Sequence, residues 1–330
     1  MLAVLAVVLA ACSSNPAAPP PPTIPPATPA SSPPQADKPV GVVRPLPGAV
    51  LAAAVDATTS SLVVLMAPDA HQRVFVAVFA PGQYRPRVIP LPTQASAMAA
   101  TGDGEVLLTI RGGYLVVDVA AGTARQVDVA DQRDTDFTAI ARRVDGKLVL
   151  GSADGTVFIV DSDGSVSSRQ KIFARVDSVV TQGDTAVVLD RGQTSVTALD
   201  ADGEAQQALR AGEGATSMVV DPAGRLLVTD TRGDELLVFS VDPLIMRQRY
   251  PVPAAPYGLA GSKALAWVSQ TAANVVVGYD LATGIPVEKV RYKTVQQPDS
   301  LAFDTATDTL YVVSGAGAGV QVIENAGSPQ

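Results

Sequence analysis

The chain has 330 residues, 47% of them hydrophobic, which is enough to bury a large core, and its 32 acidic and 24 basic residues give a formal net charge of -8. Nothing concentrates positive charge, so nucleic acid is excluded as a partner. A single cysteine and a single histidine exclude an intramolecular disulfide, a Cys/His zinc cluster and any site that needs two histidines.

Residues 2–11 are wholly apolar, too short to span a bilayer but suited to the h-region of a signal peptide. They end at Cys12. Leu9-Ala10-Ala11-Cys12 resembles a bacterial lipobox, which implies cleavage before Cys12, a lipid on its thiol, and a protein held on the extracytoplasmic face of the cell membrane by that lipid alone. No Lys or Arg precedes the apolar run, which points to a start codon upstream of Met1. Residues 12–39 form the second segment, rich in Pro, Ala and Ser; such a composition cannot build a core of its own and reads as an extended tether, up to roughly 80 Å long at about 3.1 Å per residue.

From residue 40 to 326 a period takes over. Its clearest copy is residues 215–240, where three apolar runs are separated by Asp-Pro-Ala-Gly and Thr-Arg-Gly-Asp, both turn signals between antiparallel strands. Innermost strands are expected near Val50, Ala95, Phe137, Asp177, Ser217, Tyr257 and Ser300, spaced by about 40 residues, so the chain is expected to be an all-β, seven-bladed β-propeller. Each unit adds a second and a third apolar run and a more polar fourth, such as residues 205–210. The last unit stops after its third run, and residues 40–46 are expected to close the ring as its missing outer strand.

Residues 215–240 look like an NHL repeat, and residues 275–324, with YDLATGIPVEKV and QPDSLAFDTATDTLYVV, are similar to YVTN-type repeats of bacterial surface propellers. DFTAIARRVDGKLVLGSADG and QQALRAGEGATSM carry a resemblance, over nearly the whole chain, to a family of mycobacterial lipoproteins. That resemblance implies fold and location and leaves the ligand open.

Propellers bind ligands mainly on the face made by the loops between second and third strands and the loops entering each blade. On that face the sequence places Arg111, Arg191 and Arg232, each followed by Gly, together with Asp190, Glu213, Asp230, Tyr257 and Gln297. Three guanidinium groups around one mouth favour a carboxylate or phosphate. Asp190 and Asp230 weaken that field by pairing with the arginines, and Asp230 is also placed to tie neighbouring blades together. Asp-Gly turns elsewhere read as capped turns rather than calcium sites. Lone His71, expected in a hairpin loop, does not support a Ser-His-Asp triad. No catalytic or metal-binding residue and no cofactor is assigned. The expectation is a non-catalytic monomer that binds a cell-envelope ligand or protein; the alternative is a metal-dependent lactonase or hydrolase of the same fold.

Overall fold

Runs such as SLVVLM and TLYVVS are apolar except at their ends, with no polar position alternating inside them, which suits a strand covered on both faces, whereas VSSRQK alternates in burial and suits an edge. The computed structural model, which describes residues 21–327, sorts them accordingly into seven four-stranded antiparallel sheets, a seven-bladed β-propeller. Blades 1 to 7 begin at Val50, Met98, Phe137, Ser178, Ala215, Pro256 and Pro298. First strands of successive blades pack beside one another around the central axis. Second and third strands are almost wholly buried, and polar fourth strands such as Val166–Lys171 and Ala205–Arg210 form the rim.

Burial on both faces has a direct cause. Each hydrophobic cluster is shared by two adjacent blades, and the last joins blade 7 to blade 1 through Leu62, Ala77, Tyr311, Val313 and Val322. Between blades 6 and 7 the fully buried Trp267 lies stacked between Tyr292 and Phe303, with ring centroids 6.2 and 6.1 Å away.

Val42–Arg44 closes the ring, pairing antiparallel with Val320–Ile323 in the register Val42↔Val322, Val43↔Gln321, Arg44↔Val320. The chain enters this strand through Gly41 at φ 75°, where a Cβ would stand 2.1 Å from the Val322 carbonyl oxygen. Gln321, fully buried, donates from Nε2 to the carbonyls of Val40 (2.8 Å) and Lys293 (2.9 Å), which locks the entering segment to blade 6. Asp turns behave as local caps: Asp221 accepts from the backbone N–H groups of Ala223 and Arg225, and Asp56 from those of Thr59 and of Gly104 in the next blade.

Residues 21–39, expected as a free tether, are seated on the propeller. Low complexity prevents the segment from making a core of its own, but does not stop it lying on a surface already built. Cys12 and the apolar run before it lie outside the described residues.

Candidate functional site

The seated segment, here the strap, runs over the face made by the second-to-third-strand loops and the loops entering each blade. At blade 4 the Ile24 N–H donates to the Gly192 carbonyl (2.8 Å). Arg232 Nη2, from blade 5, donates to the Pro25 carbonyl (2.8 Å), and Arg191 Nη2, from blade 4, to that of Ala27. Ala27 is the one buried residue between 22 and 36; a Cβ on Gly214 would lie 3.0 Å from its own, so the glycine makes the seat. Beyond it the strap reaches blades 6 and 7. Gln297 Nε2 donates to the Ala30 carbonyl (2.9 Å), while the Ser32 and Gln297 backbone N–H groups donate to each other's side-chain oxygens at 3.1 and 3.0 Å. Asn274 Nδ2 donates to the Pro33 carbonyl (2.9 Å), Gln35 Nε2 to that of Thr294 (3.0 Å), and Lys293 pairs with Asp37 (3.1 Å) before the chain enters the closing strand.

Two properties suit the segment to this course. Proline holds an extended backbone with little entropy left to lose, and lacks an N–H, so that ordering costs less and few donors go unpaired. The loops, by contrast, are strained: Gln297, Asn274, Ala254 and Ala255 hold left-handed backbone at φ 55°, 49°, 68° and 55° without being glycine. Such strain concentrates at functional sites.

Of the residues singled out by sequence, Arg191, Arg232 and Gln297 meet at the strap. Tyr257, half-buried on the first strand of blade 6, lies beside Arg191; burial pushes its hydroxyl up and the guanidinium pulls it back. Arg111 is elsewhere: it is largely exposed and forms ion pairs with Asp134 (3.3 Å) and Asp136 (3.5 Å) of a neighbouring acidic loop. The expected trio of arginines is therefore a pair, and it grips main-chain carbonyls of the chain itself. Asp190 and Asp230 do not pair with the arginines either. Both are fully buried and hold backbone: Asp190 accepts from the N–H groups of Ala174, Arg175 and Gln193, and Asp230 from those of Glu213, Gly214 and Gly233. They fix the loops that carry Arg191 and Arg232. Glu213 contributes its carbonyl, which accepts from Arg232 Nη1 (3.0 Å), while its exposed residue lines a shallow surface depression with Arg210 and Arg249. Sequence reasoning missed Asn274, Ala27 and Gln296, whose Nε2 reaches the carbonyls of Ser32 (3.4 Å) and Pro33 (3.3 Å); an amide at a tight turn was the one signal available for Asn274.

Asp299 sits under this region and accepts from Gln297 Nε2 (2.9 Å). Burial lifts its carboxyl above the usual carboxylate range, and the Gln297 hydrogen bond offsets part of the rise. With a raised folded-state pKa, folding penalises the ionised form; the penalty is absent below the unfolded value near 3.8 and is complete once pH has risen through the folded pKa. Asp299→Asn is therefore expected to raise the melting temperature at pH 7, with the gain shrinking towards pH 3.5. Equal melting of the two proteins at both pH values would contradict this.

The chain matches no protein-family model and no curated protein. It is similar in structure to a streptogramin B lyase (TM-score 0.69, 10% identity, covering 87% of this chain and 97% of that one). It is similar to U3-55K (TM-score 0.70, 13% identity, 86% and 97%). It is also similar to a catalytically inactive histidine-to-alanine virginiamycin B lyase from Staphylococcus aureus with quinupristin (TM-score 0.67, 11% identity, 85% and 97%). At such identities the likeness speaks to the seven-bladed propeller and to nothing finer.

Proposed function

We propose that this chain is a lipid-anchored, extracytoplasmic propeller that binds an envelope ligand or protein partner through the strap-bearing face, without catalysing a reaction. The observation that carries the reading is that this face holds an extended polypeptide, by side-chain donors from four blades to its main-chain carbonyls. Solved propellers of similar structure include a streptogramin B lyase and a chain of a mitotic checkpoint complex, so fold does not choose between catalysis and binding. Two features of the chain bear on the enzymatic alternatives. His71 is exposed in the loop between the second and third strands of blade 1, its N–H held by Asp69. A metal-dependent lactonase or hydrolase needs three or more convergent oxygen ligands, and among the described residues no group of three His, Cys, Asp or Glu side chains is placed to hold an ion.

The lipobox supports a lipid on Cys12, and the resemblance to mycobacterial lipoproteins supports the same location. With the strap seated from Ile24 onward, an extended stretch from Cys12 at about 3.1 Å per residue is roughly 37 Å long, about half the reach of a wholly free tether. The strap-bearing face would then lie near the membrane. The test compares envelope proteins captured by the parent and by Arg191→Gln/Arg232→Gln, after matching their melting. Loss of the captured set from the double variant is expected, and an unchanged set would remove this face from consideration. In the same strain, Cys12→Ser should leave the membrane fraction; a variant that stays there at mature size would overturn the anchor.

A further inference from the structure

Building on that reading, we infer that the strap occupies, in cis, a groove whose ligand in trans is an extended proline-rich segment of an envelope protein. The side chains that the groove presents to the strap backbone are mainly donors, although the Gly192, Thr271 and Thr294 carbonyls and Gln297 Oε1 accept from Ile24, Ser32 and Gln35. Arg232, Arg191, Gln297, Gln296 and Asn274 all donate, and what they meet on the strap is the carbonyl of Pro25, Ala27, Ala30, Ser32 or Pro33. A backbone rich in proline offers carbonyls and few N–H groups, and only Ile24 and Ser32 donate from the strap backbone to the propeller among the described hydrogen bonds. A helix or a strand would bring more donors than this face answers.

The strap is held by polar contacts and buries little of itself. Between residues 22 and 36 only Ala27 is buried, so little apolar surface resists its removal. Buried polar atoms on the same face, Arg191 Nε and Asn274 Oδ1, have no hydrogen-bond partner beneath it, nor does Nε2 of Gln270, the residue preceding Thr271. A segment that paired even one of these atoms would fit better than the strap does. What the strap has in its favour is attachment: as part of the same chain it acts at an effective concentration that a free peptide must exceed, so the closed protein binds such a peptide weakly.

The test uses the full mature chain and a fluorescent peptide of residues 22–36. Ala27→Lys places a long cation between Gly214 and two arginines and should lift the strap, read as faster hydrogen exchange at the Ile24 and Ser32 amides, the two that donate to the propeller. The lifted protein is expected to bind the peptide about ten-fold more tightly than the parent. Adding Arg191→Gln and Arg232→Gln should abolish the gain, and a peptide with Pro25, Pro26, Pro29 and Pro33 changed to Ala should bind several-fold more weakly. Ser32→Ala with Gln35→Ala serves as a second lifting variant if Ala27→Lys fails to fold. A lifted strap with no peptide binding overturns the inference, as does a strap whose exchange stays slow in both variants. Envelope capture that depends on Arg191 and Arg232 but is not competed by the peptide would overturn this inference and leave the binding reading standing. Peptide binding without any such capture would overturn the binding reading and, with it, the envelope protein named here as the ligand, leaving only a groove that accepts a proline-rich backbone.

Discussion

A chain that begins at Gly48 is expected to melt about 10 °C below the parent or to aggregate, while one that begins at Pro39 should melt within a few degrees of it. The first deletion removes Val42–Arg44, and with it the partner of Val320–Ile323. Three losses then coincide. An inner strand becomes an open edge, the fully buried Gln321 loses the Val40 carbonyl to which it donates, and Val40, Val43 and Leu46 no longer pack on the clusters flanking blade 7. Together these amount to roughly 5 kcal/mol, which in a domain of this size corresponds to about 10 °C. Starting at Pro39 removes the strap, most of whose residues are exposed, and leaves the closing strand in place. Thermal unfolding with light scattering on both chains separates closure from strap. Equal melting of the Gly48 chain and the parent would mean that the closing strand contributes nothing, and equal losses in both chains would put the stability in the strap.

Asp230→Ala is expected to cost about 3–5 kcal/mol, seen as a lower denaturation midpoint at unchanged denaturant slope. The carboxylate is fully buried and accepts three backbone N–H groups, from Glu213 and Gly214 at 2.7 Å and from Gly233 at 3.0 Å. Alanine leaves all three without an acceptor. The surrounding backbone comes so close that a Cβ on Gly212 or Gly233 would stand 1.9 or 2.1 Å from the carboxylate, so rearrangement has little room to supply a substitute. Asp230→Asn keeps the shape but turns an amide donor toward backbone donors, and should lose about half as much. Exposed Glu213→Ala, one loop away, is the control and should change stability by less than about 0.5 kcal/mol. Asp230 also holds the loop that carries Arg232, so exchange at the Ile24 and Ser32 amides should quicken in Asp230→Ala. A stability loss no larger than that of Glu213→Ala would show that the three hydrogen bonds are dispensable.

The blades were legible because their information is local. Apolar runs such as Leu226 to Val228, bounded by turns built from Asp and Gly, place strand starts within a few residues of where they are found, at Val50 and Phe137 to the residue. Closure was legible for a related reason: a last unit one strand short needs a partner, and the apolar residues before Val50 were placed to supply it. Asp230 was legible in part, since an acid ending a second strand beside Arg-Gly has a backbone to hold; Asp190 was read with it as a ligand-face residue, though both turn inward to tie loops.

What the sequence by itself determined is the propeller: the period, the turns and the polar rim follow from contacts between residues a few positions apart, for which hydrophobic pattern and turn chemistry are sufficient. What only the tertiary structure decided is the occupant of its face. Arg232 meets Pro25 across 207 positions and Gln297 meets Ala30 across 267, and in each case the group recognised on the strap is a main-chain carbonyl. Every residue carries a carbonyl, so a proline-rich composition marks residues 21–39 as extended but does not mark which of their carbonyls are met, or by which donors. Only the folded ring, by bringing donors from blades 4 to 7 to one side, determines where that backbone can lie.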